Sequence, residues 1–257
     1  MNTSVIEAVN IVKSFPSSGA FGRSVAIEAL KGVSFSVNRG RALGILGESG
    51  SGKTTLAQIL CGLQKADGGR ILIDGIDRAD IAAAGMPRKI QMVFQNPYAS
   101  LNPKLSVGMQ INEALNASAP KRGAWRRGAV ELMRLVGLDG EFLGRFPHQL
   151  SGGQRQRVAI ARALAPEPEI LVADEAVSSL DVSVQAQILN LFRLLRRETG
   201  VTIIFISHDA LAAAYVSDDL IVMKDGAIVE SGVAAAILEK PESEYAALLV
   251  SAAKTLH

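Results

Sequence analysis

The chain has 257 residues and carries one glycine-rich segment, Gly47-Glu48-Ser49-Gly50-Ser51-Gly52-Lys53-Thr54. The apolar run Ala42–Leu46 before it predicts a short buried strand, and helical periodicity begins after Lys53. A glycine-rich turn between a strand and a helix points successive backbone N–H groups at one place, where phosphate oxygens fit. Lys53 is then placed to reach the β- and γ-phosphates of a nucleotide, and the Thr54 hydroxyl to bind Mg²⁺. The segment therefore predicts a phosphate-binding loop.

Strand and helix signals alternate along the rest of the chain. The predicted strands are Val5–Val12, Gly32–Val37, Ala42–Leu46, Arg70–Ile73, Ile90–Phe94, Ile170–Ala173, Thr202–Ser207, Leu220–Met223 and Ala227–Val229. The predicted helices are Arg126–Val136, Gln154–Leu164, Val184 to about Glu198, and the tail Val233–His257. Strand signals vanish and helical signals dominate between about Asn96 and Ala165, which indicates a helical insertion. This order predicts an α/β fold with a mainly parallel sheet.

Turn residues separate several of these strands. Asp74-Gly75 predicts a hairpin turn, and Lys224-Asp225-Gly226 lies between the last two β-rich runs. Ser17-Ser18-Gly19, with Gly22, predicts a loop between the early strands.

Composition limits the classes of partner and compartment. The hydrophobic fraction of 48% is ordinary for a globular domain, and the net charge of +2 gives no reason to expect nucleic acid as a partner. The single cysteine, Cys61, excludes an internal disulfide and a thiolate metal cluster, and its apolar surroundings predict a small core residue. We find neither a secretory signal at the N-terminus nor an apolar run of about 18 residues. We therefore expect a chain that is cytoplasmic or attached to a membrane through another protein.

Two further segments carry chemistry. The strand Ile170–Ala173 ends at Asp174-Glu175, which places Asp174 beside the phosphate loop to hold Mg²⁺ and leaves Glu175 able to polarise an attacking water. The alternative is that Asp174 and Glu175 are simply two acidic turn residues at a strand end. Leu150-Ser151-Gly152-Gly153-Gln154 opens a helix, where Ser151 can act as the N-cap and the glycines leave N–H groups for an anion.

Together, the LSGGQ segment at 150–154, the phosphate loop, Gln95, the strand ending at Glu175, and His208 resemble the ATP-binding cassette (ABC) family of nucleotide-binding subunits. The resemblance covers nearly the whole chain. It implies a P-loop nucleotide-binding domain with a mainly parallel core sheet, an antiparallel β subdomain and a helical subdomain. The implied division is a catalytic core at 1–95 and 166–232, a helical subdomain at 96–165 with the signature motif, and a short helical tail at 233–257.

The resemblance also implies roles for single residues. Phe15 matches an aromatic that stacks on adenine, although a strand-end core residue is the plainer alternative. His208 matches the family's histidine that contacts the γ-phosphate. Gln95 matches the family's glutamine that contacts Mg²⁺ and the hydrolytic water. The implied catalytic residues are Glu175, His208 and Gln95, and the implied Mg²⁺ ligands are Thr54, Gln95 and, through water, Asp174. The implied ATP-binding set is Phe15, Gly47, Glu48, Ser49, Gly50, Ser51, Gly52, Lys53, Thr54, Thr55, Gln95, Ser151, Gly153, Gln154, Asp174, Asp181 and His208.

In the family, a complete ATP site needs two chains. Ser151 and Gly153 of one subunit would bind the γ-phosphate of ATP held by the other, and Ser179-Leu180-Asp181 matches the loop that crosses the dimer interface. The chain departs from the usual pattern at Ala176, where proline is usual, and at Ser179, where alanine is usual. Neither position carries a reacting group, so we expect activity to survive.

Narrower resemblance points to importers of di- and oligopeptides and of nickel. It is carried by Gln95–Pro103, Arg145–Gln149 and Asp181–Gln187. Tyr98 lies in the stretch that would dock on a permease helix, unless that stretch is an ordinary Pro/Asn loop. The segment DEAVSSLD, with Ala176, is reminiscent of nickel importers, whereas Gln95–Pro103 favours peptides, which we prefer. One cysteine cannot supply the iron–sulfur site that some relatives carry.

The resemblance implies a peripheral subunit at the cytoplasmic face of the inner membrane. Its implied partners are two transmembrane permeases, a second ABC ATPase in a heterodimer or homodimer, and an extracytoplasmic solute-binding protein. The alternatives are an importer of nickel or another small solute, and a non-transport ABC ATPase such as an accessory component of phosphonate breakdown. A GTPase would need a guanine-binding Asn-Lys-x-Asp segment, which the sequence lacks.

Overall fold

The computed structural model describes residues 4–18, 24–83, 89–96, 100–118 and 128–256. The chain forms two compact units, residues 1–87 with 202–257 and residues 88–201. The second unit holds the predicted helical segment together with two strands, so its limits differ from those of the subdomains implied above, and that division stays a prediction.

The elements follow the predicted alternation. The strands are β1 (Ser4–Ser18), β2 (Ser24–Asn38), β3 (Ala42–Leu46), β4 (Gly68–Ile73), β5 (Ile76–Asp77), β6 (Ile90–Val93), β7 (Ile170–Asp174), β8 (Thr202–Ser207), β9 (Asp219–Lys224) and β10 (Ala227–Val233). The helices are α1 (Lys53–Cys61), α2 (Arg78–Ala83), α3 (Val107–Ser118), α4 (Ala129–Leu135), α5 (Gly152–Leu164), α6 (Val182–Thr199), α7 (Ala210–Val216), α8 (Ala234–Glu239) and α9 (Glu244–Leu256). Short 3₁₀ turns at Gly140–Gly144 and Pro147–Gln149 precede α5.

An antiparallel sheet with the strand order β2-β1-β4-β5 belongs to the first unit. Its β4–β5 connection is the predicted hairpin turn, with Asp74 at φ 51° and Gly75 at φ 75°, the left-handed pair of a type I′ turn. The loop predicted at Ser17 and Ser18 is wrong, because both residues extend β1 and pair with Val25 and Ser24 of β2. Gly19 and Gly22 of that prediction lie outside the described residues.

The buried parallel strands of the first unit surround β3. It pairs in parallel with β8 on one side and β9 on the other, and β10 adds an antiparallel edge. Every residue of β3 and β8 is buried, which explains why both are nearly continuous apolar runs. The turn between β9 and β10 has left-handed Asp225 and Gly226, as its sequence predicts.

One core prediction for this unit needs correction. Cys61 is half-buried rather than a core residue, because it is the last residue of α1 and the chain turns at Gly62, where φ is 77°. The buried face of α1 is formed instead by Leu56, Ala57, Ile59 and Leu60.

The second unit combines a parallel strand pair with helices. β6 and β7 run in parallel register from Ile90 opposite Ile170 to Val93 opposite Ala173. Phe94 lies just past β6, whereas the prediction placed it in the strand. Buried side chains from three helices form much of the core: Leu132, Met133, Val158, Ile160, Phe192 and Leu195. Arg126, the predicted start of α4, lies outside the described residues. The α/β fold with a parallel core, an antiparallel sheet and a helical insertion is confirmed.

None of the helices in the described ranges is both long enough and apolar enough to cross a membrane.

Candidate functional site

The phosphate loop of the first unit starts at the end of buried β3 and ends at the first residue of α1. Glycine is required at its two ends, because a Cβ on Gly47 would lie 2.4 Å from the carbonyl oxygen of Met223, and one on Gly52 would lie 2.5 Å from that of Ala29. Gly52 also has a φ of 101°, in the left-handed region. The two ends of the loop therefore pack closely against neighbouring backbone, and a side chain at Gly47 or Gly52 would clash with it.

Lys53 is buried at the centre of this loop, with 4% of its surface exposed. Its ammonium Nζ donates to the carbonyl oxygens of Gly47 at 2.7 Å and Glu48 at 2.6 Å, and to Ser51 Oγ at 3.4 Å. A buried ammonium is stable only when such oxygens replace its water shell. Glu48, Ser49, Gly50 and Thr54 are exposed around it, and Thr55 is half-buried. A cation beneath an accessible glycine-rich loop at a helix N-terminus fits an anionic phosphate group.

His208 emerges at the same edge of the sheet as the phosphate loop. Leu46 of β3 is in register with Ser207 of β8. The residues that follow the two strands, Gly47 and His208, therefore lie at the same edge of the sheet. The His208 side chain is exposed, and Asp209 beyond it caps α7 by accepting from the Leu211 N–H at 2.8 Å. Polar residues after neighbouring parallel strands are the usual arrangement of a ligand site in an α/β fold.

Phe15 lies on β1, opposite Ile27 of β2. Ala29, two residues further along β2, is the residue whose carbonyl approaches Gly52, so the strand pair extends from the phosphate loop towards Phe15. The Phe15 ring is half-buried, and Lys13 Nζ lies 5.5 Å from its centroid.

Asp67 holds Lys13 in this position. Its carboxylate accepts from Lys13 Nζ at 2.7 Å and from the Ser14 N–H at 2.7 Å. The bond from Lys13, and then that from Ser14, hold the pKa of Asp67 below its usual range.

In the second unit, Gln95 and Glu175 meet at the carboxyl ends of β6 and β7. Each lies two residues beyond the registered pair Val93 and Ala173. Gln95 Nε2 donates to Glu175 Oε2 at 3.0 Å, with Ser178 Oγ 3.4 Å from the same nitrogen. Glu175 has a φ of 45°, which is uncommon for a residue other than glycine.

Two neighbours complete this cluster. Ser178 Oγ donates to the carbonyl oxygen of Glu175 at 3.0 Å and so fixes the turn that carries the carboxylate. Asp174, the last residue of β7, is a buried carboxylate with 4% exposure.

The LSGGQ segment forms the start of α5. Ser151 Oγ accepts from the Gln154 N–H at 3.2 Å, and the Gln154 side chain accepts from the Ser151 N–H at 2.9 Å, a capping box. The predicted cap is therefore present. The exposed hydroxyl of Ser151 keeps its own proton, which it can donate to an anion.

The N-terminus of α6 packs beside that of α5. A Cβ on Gly153 would lie 2.5 Å from Val184 Cγ1, so only glycine fits there. Asp181 is the N-cap of α6 and accepts from the Val184 N–H at 2.9 Å and from Ser183 Oγ at 2.7 Å. These bonds, first that from Val184, lower the pKa of Asp181.

The predicted residues thus fall into two sets. Phe15, the phosphate loop and His208 belong to the first unit, and Gln95, Ser151, Gly153, Gln154, Asp174, Glu175 and Asp181 belong to the second. Tyr98 lies outside the described residues.

Sequence reasoning missed two neighbours of these residues. Ser178 could have been found, since it lies three residues after Glu175. Tyr245 could not, because its contact with Glu48 joins residues that are 197 positions apart.

Comparison with known proteins identifies the family. A protein-family model described as ABC transporter matches residues 30–178. The dipeptide transport ATP-binding protein DppF of Haemophilus influenzae has 41% sequence identity in an alignment that covers 99% of this chain and 80% of that protein. DppF of Escherichia coli has 42% identity, and the alignment covers 98% of this chain and 77% of that protein.

Solved structures agree. The dimeric post-hydrolysis structure of the ATP-binding cassette MJ0796 bound to ADP and Pi has a TM-score of 0.76 and 33% identity, and covers 89% of this chain and 98% of its own. The cbiO1 protein of Clostridium perfringens has a TM-score of 0.77 and 30% identity, and covers 93% of this chain and 92% of its own. The chain belongs to the ABC transporter family, and it is an ATPase.

Proposed function

We propose that this chain is the ATP-hydrolysing subunit of an importer that carries di- or oligopeptides across the cytoplasmic membrane. The hydrogen bond of 3.0 Å between Gln95 and Glu175 is the observation that best supports the hydrolytic part of the proposal. It brings an amide and a carboxylate together at the carboxyl ends of two parallel strands, where a water molecule can be oriented and deprotonated. The peptide part of the proposal comes from relatives that carry peptide-transport names.

In this proposal the first unit binds the nucleotide. Backbone N–H groups of the phosphate loop and the Lys53 ammonium hold the phosphates, and Thr54 would supply a hydroxyl to Mg²⁺. Phe15 stacks on the adenine with the ring face that Lys13 does not cover. His208 donates to the γ-phosphate. The buried Lys53 ammonium beneath the accessible glycine-rich loop supports the phosphate-binding role, because a cation in this place fits an anionic group.

The second unit activates water. Glu175 accepts a proton from the water that attacks the γ-phosphorus, as the bond between that phosphorus and the ADP oxygen breaks. Gln95 orients the water, and Gln95 and Asp174 would hold Mg²⁺. Oxygen donors with one carboxylate suit this ion. When bound, the ion would offset the negative charge of the phosphate oxygens.

A second ATPase subunit completes the site. Ser151, Gly153 and Gln154 bind the γ-phosphate of ATP held by the partner, and Asp181 lies in the loop at the subunit interface. The exposed Ser151 hydroxyl supports this role, because its proton is not used by the helix cap. Closure on ATP and opening after hydrolysis give two states whose exchange can drive transport.

We propose that the assembly contains two transmembrane permeases, a second and different ABC ATPase, and an extracytoplasmic binding protein. The chain would then lie at the cytoplasmic face of the inner membrane. The peptide-transport names of relatives that align with nearly the whole chain favour peptides over nickel. The implied subdomain limits, a core at 1–95 and 166–232, helices at 96–165 and a tail at 233–257, remain part of this proposal.

Replacing Glu175 tests the hydrolytic role. Glu175→Gln keeps the size of the side chain and its contact with Gln95 but removes the base, so we expect ATP binding to persist and turnover to fall by about 10²- to 10⁴-fold. Turnover is measured as phosphate release by the assembled transporter, and binding by titration with fluorescent ATP. Glu198→Gln, on the exposed face of α6, is the matched control and should retain activity. Undiminished phosphate release by Glu175→Gln would remove Glu175 from its role.

Uptake measurements test the transported solute. Cells that lack this chain should lose uptake of a labelled dipeptide and keep uptake of nickel, and the unaltered chain should restore it while Glu175→Gln should not. Loss of nickel uptake alone would contradict the peptide assignment. Purification of the chain with soluble partners and without permeases would contradict transport altogether.

A further inference from the structure

The last helix reaches the phosphate loop through one side chain. Tyr245, the second residue of α9, has its phenol oxygen 3.1 Å from the backbone nitrogen of Glu48, which donates the hydrogen bond. Glu48 belongs to the loop itself. The contact lies within the first unit.

The Tyr245 side chain is held in place by a contact with a residue of β9. Lys224, the last residue of that strand, has its ammonium 4.8 Å from the centre of the Tyr245 ring, within the range of a cation–π contact. The ring is half-buried, so its packing limits the positions of the phenol oxygen.

The N-terminus of α9 is fixed from β10. The Glu230 carboxylate accepts from the Glu242 N–H at 3.0 Å, from the Ser243 N–H at 2.8 Å and from Ser243 Oγ at 2.8 Å. Ser243 Oγ in turn accepts from the Ala246 N–H at 3.1 Å, in the first turn of the helix. Tyr245 lies between these anchored residues and has little freedom to leave the loop.

The Glu48 peptide is held on both sides. Its N–H donates to Tyr245, and its carbonyl accepts from Lys53 Nζ at 2.6 Å. A second contact comes from the turn after β9, where the Gly226 N–H donates to the carbonyl oxygen of Ser51 at 3.2 Å. Tyr245 and the β9–β10 turn therefore anchor the loop at two separate peptides.

We propose that Tyr245 is a positioning residue for the phosphate loop. Its phenol oxygen sets the orientation of the Glu48 peptide, and that peptide supplies one of the oxygens that hold Lys53. A loop with glycines at 47, 50 and 52 has many accessible conformations, so an outside anchor reduces the entropy lost when a ligand binds. The inference rests on the proposed function in one respect only, that the ligand of the loop is ATP.

The decisive comparison is between two Tyr→Phe variants of the full chain. Tyr245→Phe removes the phenol oxygen and keeps the ring over Lys224, whereas Tyr215→Phe removes the same atom from α7, where the side chain is 45% exposed. We expect Tyr245→Phe to raise the dissociation constant for fluorescent ATP about two- to tenfold, the range that follows from loss of one neutral hydrogen bond. In the assembled transporter, KM for ATP should rise by a similar factor and kcat should stay within about twofold. Tyr215→Phe should change neither.

Hydrogen exchange gives a readout that does not depend on activity. The Glu48 amide should exchange faster in Tyr245→Phe than in the unaltered chain, because its acceptor is gone. Thermal unfolding of each variant reports whether it is folded.

The outcomes separate the inference from the function. Unchanged ATP affinity and unchanged Glu48 exchange in folded Tyr245→Phe would overturn the positioning role, as would equal effects of Tyr215→Phe. A lower melting temperature with the ATP affinity intact would assign Tyr245 a purely structural role and overturn it too. Failure of the unaltered chain to bind ATP would instead contradict the proposed function, and the inference with it.

Discussion

Lys53, Asp181 and Glu230 are charged side chains held by backbone groups that the fold has already placed. Lys53 lies among loop carbonyls, Asp181 accepts from the first turn of α6, and Glu230 accepts from the residues before α9. Each bond involves a charged partner, so it is stronger and more directional than a neutral one. Because the backbone partners do not rotate, each charge fixes a segment beside the candidate site.

Glu230 makes a pH-dependent contribution to stability that can be measured. Burial tends to raise its pKa, but the hydrogen bonds from Glu242 and Ser243 outweigh burial, and its pKa lies below the ordinary value of 4.5. A carboxyl whose pKa is lowered on folding stabilises the folded state fully above its unfolded pKa, and this stabilisation is lost as the pH falls through the folded pKa. We expect Glu230→Gln to lower the free energy of unfolding by about 1 kcal/mol at pH 7.

That difference should shrink as the pH falls below 4.5. The measurement is urea unfolding of both proteins between pH 7 and pH 3. Glu239→Gln, an exposed substitution on α8, is the control and should give a small difference at every pH. A Glu230→Gln difference that stays constant across this range would contradict the assigned hydrogen bonds.

At the scale of elements, α5 and α6 are joined at their N-termini. Ser151 caps one helix and Asp181 the other, and Gly153 brings the α5 backbone against Val184 of α6. The glycines of the LSGGQ segment therefore have a packing role as well as the anion-binding role in the proposal. The free energy of unfolding of glycine-to-alanine variants measures the packing role separately from ATP binding.

Gly153 and Gly152 form a matched pair for this purpose. An added Cβ would lie 2.5 Å from Val184 Cγ1 at position 153, but 3.6 Å from Leu180 Cδ2 at position 152, an ordinary contact. Since Val184 is β-branched and stiff, we expect Gly153→Ala to destabilise the chain by about 1 to 3 kcal/mol. Gly152→Ala should be within about 1 kcal/mol of neutral or slightly stabilising. Denaturant unfolding measures both, and equal effects of the two substitutions would rule out close packing as the reason for Gly153.

The elements that sequence predicted best are those with local causes. β3 and β8 begin and end at the predicted residues, because buried parallel strands are apolar runs with polar ends. The start of α5 was predicted from Ser151, a local cap. The extension of β1 to Ser18 was missed because it depends on pairing with β2, a partner that the local turn signal does not reveal.

The residues of the candidate site likewise divide into those that the sequence predicts and those that only the structure reveals. The phosphate loop and the strand that ends at Asp174-Glu175 have local signatures, so the sequence predicts roles for Lys53 and Glu175, whereas the role of Gln95 comes only from the family resemblance. Ser178 and Tyr245 act through contacts that only the folded chain creates. The half-buried state of Cys61 likewise depends on where α1 ends, which the apolar run around it does not encode.

At the scale of the whole molecule, the residues named for one reaction are divided between two units and, in the proposal, between two chains. The phosphate loop and His208 lie in the first unit, and Glu175 and Ser151 lie in the second. A related cassette was solved as a dimer bound to ADP and Pi. Because the proposed site is shared between two chains, ATP binding by a single chain and ATP turnover by the assembly should respond differently to a change at Ser151.

Ser151→Arg tests that difference. The side chain is exposed, so the arginine can be accommodated in a single chain, but its bulk would occupy the position proposed for the partner's γ-phosphate. We expect ATP binding by the single chain to stay within about twofold and phosphate release by the assembled transporter to fall at least about 10²-fold, a loss typical of removing transition-state contacts. Ser151→Ala removes the helix cap, worth about 1 kcal/mol, and the proposed hydroxyl donor without adding bulk, so its turnover should lie between that of the unaltered chain and that of Ser151→Arg. Ser251→Arg, at an exposed position of α9, controls for the added charge. Normal phosphate release by Ser151→Arg would mean that each chain completes its own site, and the shared-site proposal would have to be abandoned.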